Sequence, residues 1–297
     1  MIDHKVLLEI TGIEAGADVA FGGIGNLSTT SIPDMLSWLL DPKYLGELEA
    51  NSRIRGVITT QELAELLPGG VERLVHPDPM IVVEQLVRRQ VALADVDYPT
   101  VIDPSASIHR LADVSPVNVR IGAGTVVEAN ATIARNVVIG ERCMIRAGAV
   151  VGADNFGMFR SMAGRVCGTP SADRVVLGDD VEIGCNTCID RGDSSTDTVV
   201  GSGTKIHAQC QICHGVSIGS EVIFWGGVFV CGFARIGDRV QIQPRSLVSN
   251  HVVIGDEAYI GINSVVTKNV AARQAFLGVR TLGSKDTMDR LGKLTRN

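Results

Sequence analysis

The chain has 297 residues, of which 45% are apolar and only 4% aromatic, and its net charge is −6. Val, Ile, Leu and Ala must therefore form the core, and the 33 glycines favour a fold with many tight corners. The acidic balance argues against nucleic acid as a partner, because phosphate binding requires a cationic surface. The first residues predict no signal peptide, and no run approaches the roughly 18 apolar residues of a membrane span. We therefore expect a soluble, cytoplasmic protein without a transmembrane segment.

Residues 1–98 lack any repeat and mix strand-like with helix-like segments. Strand-like runs cover residues 5–10 and 54–60, and helix-like runs cover 42–51, 61–67 and 79–94. This alternation predicts a small α/β domain, joined to the rest of the chain near residues 97–104.

An aliphatic or aromatic residue recurs at every sixth position in the C-terminal half of the chain. The unbroken series is Val200, Ile206, Ile212, Ile218, Phe224, Val230, Ile236, Ile242, Val248, Ile254, Ile260 and Val266. An earlier block from Ile121 to Val151 keeps the same period, and a first stretch from Ile102 to Val114 is one residue out of step. A period of six fits neither an α-helix nor an alternating strand, and it is typical of a hexapeptide β-helix. We predict a parallel β-helix over residues 99–270, with this series stacked inside.

The repeat is interrupted twice, at residues 152–176 and 190–199. Long loops on a rigid solenoid usually carry function, so both segments are candidate parts of a site. After residue 270 the period ends. We predict a C-terminal extension over 271–297 with one short helix at 284–294, begun by Ser284 as its N-cap.

Two cysteine pairs, Cys185 with Cys188 and Cys210 with Cys213, have the spacing of half a zinc site. Their positions in the repeat differ, however, because Cys210 points inward and the others lie at or next to corners. Four such side chains cannot converge on one tetrahedral metal. We interpret them as small apolar residues and predict no metal site.

Candidate chemistry depends on residues at the corners of the coil. His214 follows the inward Ile212 by two positions, and imidazole is suited to deprotonate an amine or hydroxyl near neutral pH. Gly232 lies one 18-residue coil later, about 4.8 Å above it, where its N–H can stabilise an oxyanion. His251 lies 37 positions beyond His214, at the same edge. A packing role for the glycine and simple surface exposure of His251 stay open as alternatives.

Three segments resemble one known family, the UDP-3-O-acylglucosamine N-acyltransferases. They are LSWLLDPKYLGEL at 36–48, ADNFGMF at 153–159, and VEIGCNTCIDRGDSSTDTVVGSGTKIHAQCQICHGVSIG at 181–219. The resemblance covers nearly the whole chain. It implies a homotrimer of left-handed parallel β-helices, with active sites in the clefts between subunits.

The resemblance also implies roles for individual residues. His214 matches the general base that deprotonates the glucosamine 2-amine, and Gly232 matches the glycine whose amide serves the oxyanion. His251 matches a second histidine near the substrate. Trp38 and Tyr44 match the aromatic pair that stacks on the uracil ring of the nucleotide sugar.

Four further residues complete the substrate-binding set that we predict. Asp41 and His207 occupy positions where the family has Asn and Asp. Asn155 and Phe156 lie in the loop that resembles the family's SDGFGF segment. The implied donor is a phosphopantetheine thioester, carried by acyl carrier protein or coenzyme A, with no permanently bound cofactor.

Departures from the family pattern concern the edge that carries His214. The Asn that follows the family's catalytic histidine is Gly215 here. Where the family has small residues such as GIAGS lining an acyl channel, this chain has the bulkier segment FWGGVFVCGF at 224–233. Trp225, Phe229 and Phe233 would narrow or cap a lipid groove.

Three hypotheses follow. The first is the family reaction, transfer of a 3-hydroxyacyl group from acyl carrier protein to a UDP-3-O-acylglucosamine. The second is a paralogue that acylates another amino sugar or amine with a shorter acyl group, with coenzyme A as an alternative donor. The third is a non-catalytic scaffold, which the joint presence of His214 and Gly232 disfavours.

Overall fold

The computed structural model describes residues 1–27, 29–94, 96–171, 173–192 and 196–278. The N-terminal elements are β1 Ile2–Asp3, α1 His4–Thr11, β2 Ala20–Phe21, β3 Met35–Trp38, a 3₁₀ helix Pro42–Tyr44, α2 Leu45–Ala50, β4 Ile54–Thr59, α3 Gln61–Ala64, β5 Glu72–Val75 and α4 Pro79–Ala94. Strands β3, β4 and β5 form a parallel sheet, and β1 pairs with β2 in antiparallel orientation. The apolar face of α4 packs against that sheet and buries Val82, Val83, Leu86 and Val87.

The strand predicted at residues 5–10 is wrong, because this segment is helix α1. Asp3 begins the helix as its N-cap, and its side chain accepts a hydrogen bond from the Val6 amide at 3.0 Å. Gly12 ends it in the left-handed conformation at φ 71°. A short apolar run fits a strand or a helix equally well, and here the two caps decide between them. Strand β3 was not predicted at all.

The rest of the described chain is a parallel β-helix of three long sheets, A, B and C. Sheet A contains β7 Ser107–Ile108, β10 Val126–Val127, β13 Met144–Ile145, β18 Glu182–Ile183, β21 Lys205–Ile206, β24 Ile223–Phe224, β27 Gln241–Ile242, β30 Tyr259–Ile260 and β32 Ala275–Phe276. Sheet B contains β8 Asp113–Val114, β11 Thr132–Ile133, β14 Val150–Ala153, β19 Cys188–Asp190, β22 Gln211–Ile212, β25 Phe229–Val230, β28 Leu247–Val248 and β31 Val265–Val266. Sheet C contains β6 Val101–Ile102, β9 Val119–Ile121, β12 Val137–Ile139, β17 Val175–Leu177, β20 Thr198–Val200, β23 Ser217–Ile218, β26 Arg235–Ile236 and β29 Val253–Ile254.

Each coil passes from sheet A to B to C, and the six-residue series of the sequence forms its core. All twelve residues of that series, from Val200 to Val266, are buried in one continuous cluster. Ile102 pairs with Ile121, nineteen positions later, so the first coil has one residue more than the eighteen-residue coils that follow. The extra residue explains why the first stretch of the sequence is out of step. Strand β32 continues sheet A to Phe276, six residues past the end predicted for the β-helix.

Both interruptions of the repeat leave the coil at the same place, the corner between sheets B and C. We call the column of these corners the B–C edge. The first interruption contains a hairpin, β15 Met158–Arg160 with β16 Val166–Gly168. This hairpin contacts the N-terminal domain, because the Arg88 guanidinium donates to the Gly168 carbonyl at 2.8 Å and the Met162 amide to Asp78 Oδ2 at 2.7 Å. The N-terminal domain is thereby held beside the B–C edge.

Among the described residues, no helix is long and apolar enough to cross a membrane. The short helix predicted at 284–294 lies outside the described residues.

Candidate functional site

His214 lies at the B–C edge, and Gly232 lies beside it in the next coil. The two positions are brought together by the in-register pairing of β22 with β25. A Cβ atom placed on Gly232 would be 2.7 Å from His214 Nε2 and 3.0 Å from its Cε1, so the imidazole rests directly against the glycine. Any side chain at residue 232 would therefore displace the ring.

The backbone amide of Gly232 has no role in the β-helix ladder of the described residues. The ladder of the described chain uses the neighbouring amides, with Cys231 donating to the Val248 carbonyl at 2.9 Å and Phe233 to the His214 carbonyl at 3.0 Å. The Gly232 amide takes no part in that backbone network. A donor left over by the ladder, next to an imidazole, suits the binding of a developing oxyanion.

Phe233 joins His214 to His251. Its ring meets the His214 ring edge-on, with centroids 5.1 Å apart and planes at 86°. It stacks on the His251 ring at 5.1 Å and 15°. The His251 amide also donates to the Gly232 carbonyl at 3.2 Å. The three rings therefore form one continuous aromatic group along the B–C edge.

A pocket of 230 Å³ opens between the N-terminal domain and this aromatic group. It is lined by Asn26, Leu27, Trp38, Leu39, Leu40, Tyr44, Glu47, Phe233 and His251. Trp38 ends strand β3, and Tyr44, which is 37% exposed, ends the 3₁₀ helix. The structure thus brings Trp38, Tyr44 and His251 together. An apolar, aromatic-walled pocket of this kind suits a flat heterocycle.

Asp41 lies close to this pocket but does not line it. Its side chain caps the 3₁₀ helix by accepting from the Lys43 amide at 2.9 Å, and it pairs with the Lys43 ammonium at 2.8 Å. These contacts hold the pKa of the Asp41 carboxyl below its ordinary value. The Lys43 ammonium lies 4.7 Å from the centre of the Tyr44 ring. Asp41 therefore shapes the segment that presents Tyr44.

The remaining predicted residues lie elsewhere on the β-helix. His207 lies at the corner between sheets A and B, a different edge from that of His214. Asn155 lies at the B–C edge two coils before His214, and its side-chain oxygen Oδ1 accepts from the Gly157 amide at 2.9 Å. Phe156 beside it is 81% exposed. Within one chain these three residues do not meet His214.

A second cavity, of 600 Å³, lies on the outer side of sheet C and shares Glu47, Phe233 and His251 with the aromatic pocket. Its lining is mostly polar and comprises Thr29, Thr30, Ser31, Glu47, Thr196, Asp197, Val199, Gly215, Ser217, Phe233, Arg235, His251 and Val253. Sequence reasoning missed this cavity, because residues 29–31 carry no motif. The two cavities meet at Phe233, whose ring contacts that of His214, so a ligand that occupies both comes close to the imidazole.

A buried carboxyl, Asp190, lies one coil before Cys213 and was also missed. It is 8% exposed and accepts a hydrogen bond from the Gln211 amide group at 2.9 Å. Burial raises its pKa to about 6, although the hydrogen bonds from Gln211 and Cys188 act in the opposite direction. The only sequence signal was its place in the IDRG segment, just before the second interruption.

Replacing Asp190 with asparagine is expected to remove a pH dependence of stability. A carboxyl whose folded pKa is about 6, above its ordinary 3.8, binds its proton more tightly in the folded state. The contribution of Asp190 to the free energy of unfolding is therefore fully present below about pH 4. It is lost as the pH rises through 6, and the loss is at most about 3 kcal/mol. Urea unfolding of both proteins at pH 4 and pH 7.5 measures this. If the difference in unfolding free energy between the unchanged protein and Asp190→Asn is the same at both pH values, the raised pKa of Asp190 is contradicted.

The thiols near this carboxyl are not reactive groups. Burial, reinforced by the Asp190 charge, raises the pKa of Cys213 to about 12 and that of Cys188 to about 11. Such thiols stay protonated at neutral pH and behave as small apolar side chains. Within the described ranges, no group of three or more His, Cys, Asp or Glu side chains is placed to hold a metal ion.

Comparisons with known proteins identify relatives of this chain. The model of the bacterial transferase hexapeptide family (six repeats) matches residues 118–153 and 197–232. The UDP-3-O-acylglucosamine N-acyltransferase of Bordetella pertussis is 32% identical over 86% of this chain and 80% of its own length. The chain belongs to this family. The N-acyltransferase of the same name from Herminiimonas arsenicoxydans is 28% identical over 95% of the chain and 88% of its own length.

Membership of the UDP-3-O-acylglucosamine N-acyltransferase family makes the chain a hexapeptide-repeat acyltransferase. Among solved structures, LpxA from Acinetobacter baumannii is similar, with a TM-score of 0.51 and 26% identity over 65% of this chain and 76% of that one. The predicted fold class is confirmed: a left-handed parallel β-helix with a small N-terminal α/β domain.

Proposed function

We propose that the chain transfers an acyl group from a phosphopantetheine thioester to the 2-amine of a UDP-3-O-acylglucosamine-like sugar, a step of lipid A biosynthesis. The observation that carries this proposal is the contact of His214 Nε2 with Gly232, next to Phe233, whose ring contacts His214 and lines the pocket of Trp38 and Tyr44. The names of the relatives point to the same reaction.

In the proposed reaction, the uracil ring stacks in the aromatic pocket and the sugar lies in the adjoining cleft. His214 Nε2 accepts a proton as the 2-amine nitrogen attacks the thioester carbonyl carbon. The carbonyl oxygen becomes an oxyanion, which the Gly232 N–H stabilises. The C–S bond then breaks, and the departing thiolate takes the proton back from His214, which yields an amide and a free thiol.

The donor and the assembly belong to the same proposal. Acyl carrier protein presents the thioester, and a homotrimer supplies the second wall of the cleft. Phe156 supports a partner subunit, because an aromatic side chain that is 81% exposed in one chain is suited to burial against another. His207, at the corner between sheets A and B, would reach a substrate only from such a neighbour.

The bulky residues of the β-helix favour a second candidate, the transfer of a shorter acyl group, with acyl-coenzyme A as donor. Trp225 and Phe229 are 43% and 41% exposed, on the side of the coil formed by sheet B and its corner with sheet A. Large side chains there leave less room for a long lipid. Turnover measured with acetyl-coenzyme A and with long-chain acyl carrier protein, under equal acceptor concentration, separates the two candidates.

Replacing Trp38 with alanine is expected to weaken the binding of UDP-N-acetylglucosamine by about tenfold or more, because stacking on one base contributes roughly 1–3 kcal/mol. Isothermal titration calorimetry of the two proteins measures the change. Trp225→Ala is the matched control, since Trp225 lies at the corner between sheets A and B and does not line the aromatic pocket. The affinity of this variant for the nucleotide sugar should equal that of the unchanged protein. Equal affinities for all three proteins would place the nucleotide elsewhere.

A further inference from the structure

Phe233 has an unusual backbone conformation for its residue type. Its φ is 60°, in the left-handed region that disfavours bulky side chains. Among the described non-glycine residues with positive φ, Phe233 is the one with an apolar side chain, and the others are Asp, Asn, Arg, Gln, Glu or His. A residue held against such a preference is often part of a functional site.

The position of the Phe233 ring depends on Gly215, the residue at the same corner of the preceding coil. A Cβ atom on Gly215 would lie 2.7 Å from Cδ1 and 2.8 Å from Cε1 of the ring. One edge of the ring therefore occupies the space that a side chain at residue 215 would fill. The absence of a side chain at residue 215 therefore leaves the space that the ring of residue 233 occupies.

The ring also borders the space in which His214 would act. His214 Nε2 points toward Gly232, and Phe233 is the next residue, with its ring centre 5.1 Å from that of the imidazole. Phe233 lines both the aromatic pocket and the polar cavity. A ligand that extends from Trp38 to His214 therefore has to pass this ring.

We propose that Phe233, placed over Gly215, is a specificity-determining residue that restricts the acceptor to a sugar with a small 3-substituent, a hydroxyl or a short acyl ester. The inference rests on the proposed function, in which the 2-amine is hydrogen-bonded to His214 Nε2. The 3-oxygen is carried by the adjacent ring carbon, so a substituent on it begins within a few bonds of the amine. A long acyl chain at that point meets the phenylalanine ring, whereas a hydroxyl or an acetyl group does not.

The test compares two acceptors, UDP-glucosamine carrying a 3-O-acetyl group and UDP-glucosamine carrying a 3-O-(3-hydroxytetradecanoyl) group, with the same acyl donor. We expect the unchanged protein to have the higher kcat/KM for the acetyl acceptor. Phe233→Ala should shift the ratio of the two kcat/KM values toward the long-chain acceptor by at least about tenfold, as steric restriction in a pocket typically gives. An unchanged ratio, or a preference of the unchanged protein for the long-chain acceptor, would overturn the inference.

A second pair of variants tests the dependence on Gly215. Asparagine tolerates positive φ, so Gly215→Asn changes the space under the ring rather than the backbone. This variant should lose at least about fivefold in kcat/KM for the acetyl acceptor, and adding Phe233→Ser should restore most of the loss, since residues in contact are energetically coupled. Additive effects of the two changes would count against the contact. If the unchanged protein acylates neither UDP-glucosamine, the proposed function itself fails, whereas turnover with an unchanged ratio in Phe233→Ala removes only this inference.

Discussion

The His214→Ala protein is expected to transfer acyl groups at least about 100-fold more slowly than the unchanged protein, within the range that a positioned general base contributes. Without the imidazole, the attacking amine loses the group that is proposed to accept its proton. The loss should appear in kcat, because His214 does not line the aromatic pocket that binds the nucleotide. Release of the free thiol, followed with a thiol reagent, measures the rate.

A histidine outside the site provides the control for this variant. His109 lies at an earlier corner, between sheets A and B, where its Nδ1 accepts from the Leu111 amide at 3.1 Å. His109→Ala should keep its transfer rate within about twofold, the effect expected of a surface change. Circular dichroism should give the same β spectrum for both variants. Undiminished turnover by a folded His214→Ala protein would remove His214 from the mechanism.

The Gly232→Ala protein should show a loss of similar size for a different reason. The added methyl carbon would stand 2.7 Å from His214 Nε2, closer than such atoms approach, so the imidazole has to move away from the reacting amine. The same methyl group enters the space beside the amide that is proposed to bind the oxyanion. Loss of one oxyanion donor typically lowers kcat by about 100-fold or more. Steady-state kinetics should show the decrease in kcat with a nearly unchanged affinity for the nucleotide sugar.

Gly69 offers a matched control for that substitution, because a Cβ atom there would meet no atom within 4 Å. Gly69→Ala adds the same methyl group in open space and should leave both kcat and affinity unchanged. A Gly232→Ala protein with full activity would mean that neither the imidazole position nor the glycine amide matters for the reaction.

The regular part of this molecule could be predicted from the sequence because its period fixes the position of every side chain. A period of six places Ile212 and Val230 inside the coil, and it follows that His214 and Gly232 meet at one corner. The same arithmetic separates His207 from His214, since a step of seven residues reaches the next corner rather than the same one. The β-helix therefore makes distant residues neighbours by a rule that sequence reading can apply.

The irregular parts could not be predicted in this way, because their structure depends on contacts between distant segments. Residues 29–31 line the polar cavity only because the N-terminal domain lies beside the B–C edge. Asp190 has a raised pKa because its surroundings exclude water, which no spacing in the sequence reveals. The bulk of Phe233 was evident from the sequence, but its stacking on His251 depends on the left-handed backbone at residue 233.

The reaction that we propose for this chain is acylation of the 2-amine of a UDP-glucosamine-type sugar at the His214 corner. Mass spectrometry of the acceptor after incubation with acyl carrier protein or coenzyme A thioesters tests it most directly. We expect one added acyl group in amide linkage at the 2-nitrogen, formed by the unchanged protein and absent with His214→Ala. An acyl group found on an oxygen of the sugar, no acylated nucleotide sugar with any donor, or equal product from both proteins would contradict it.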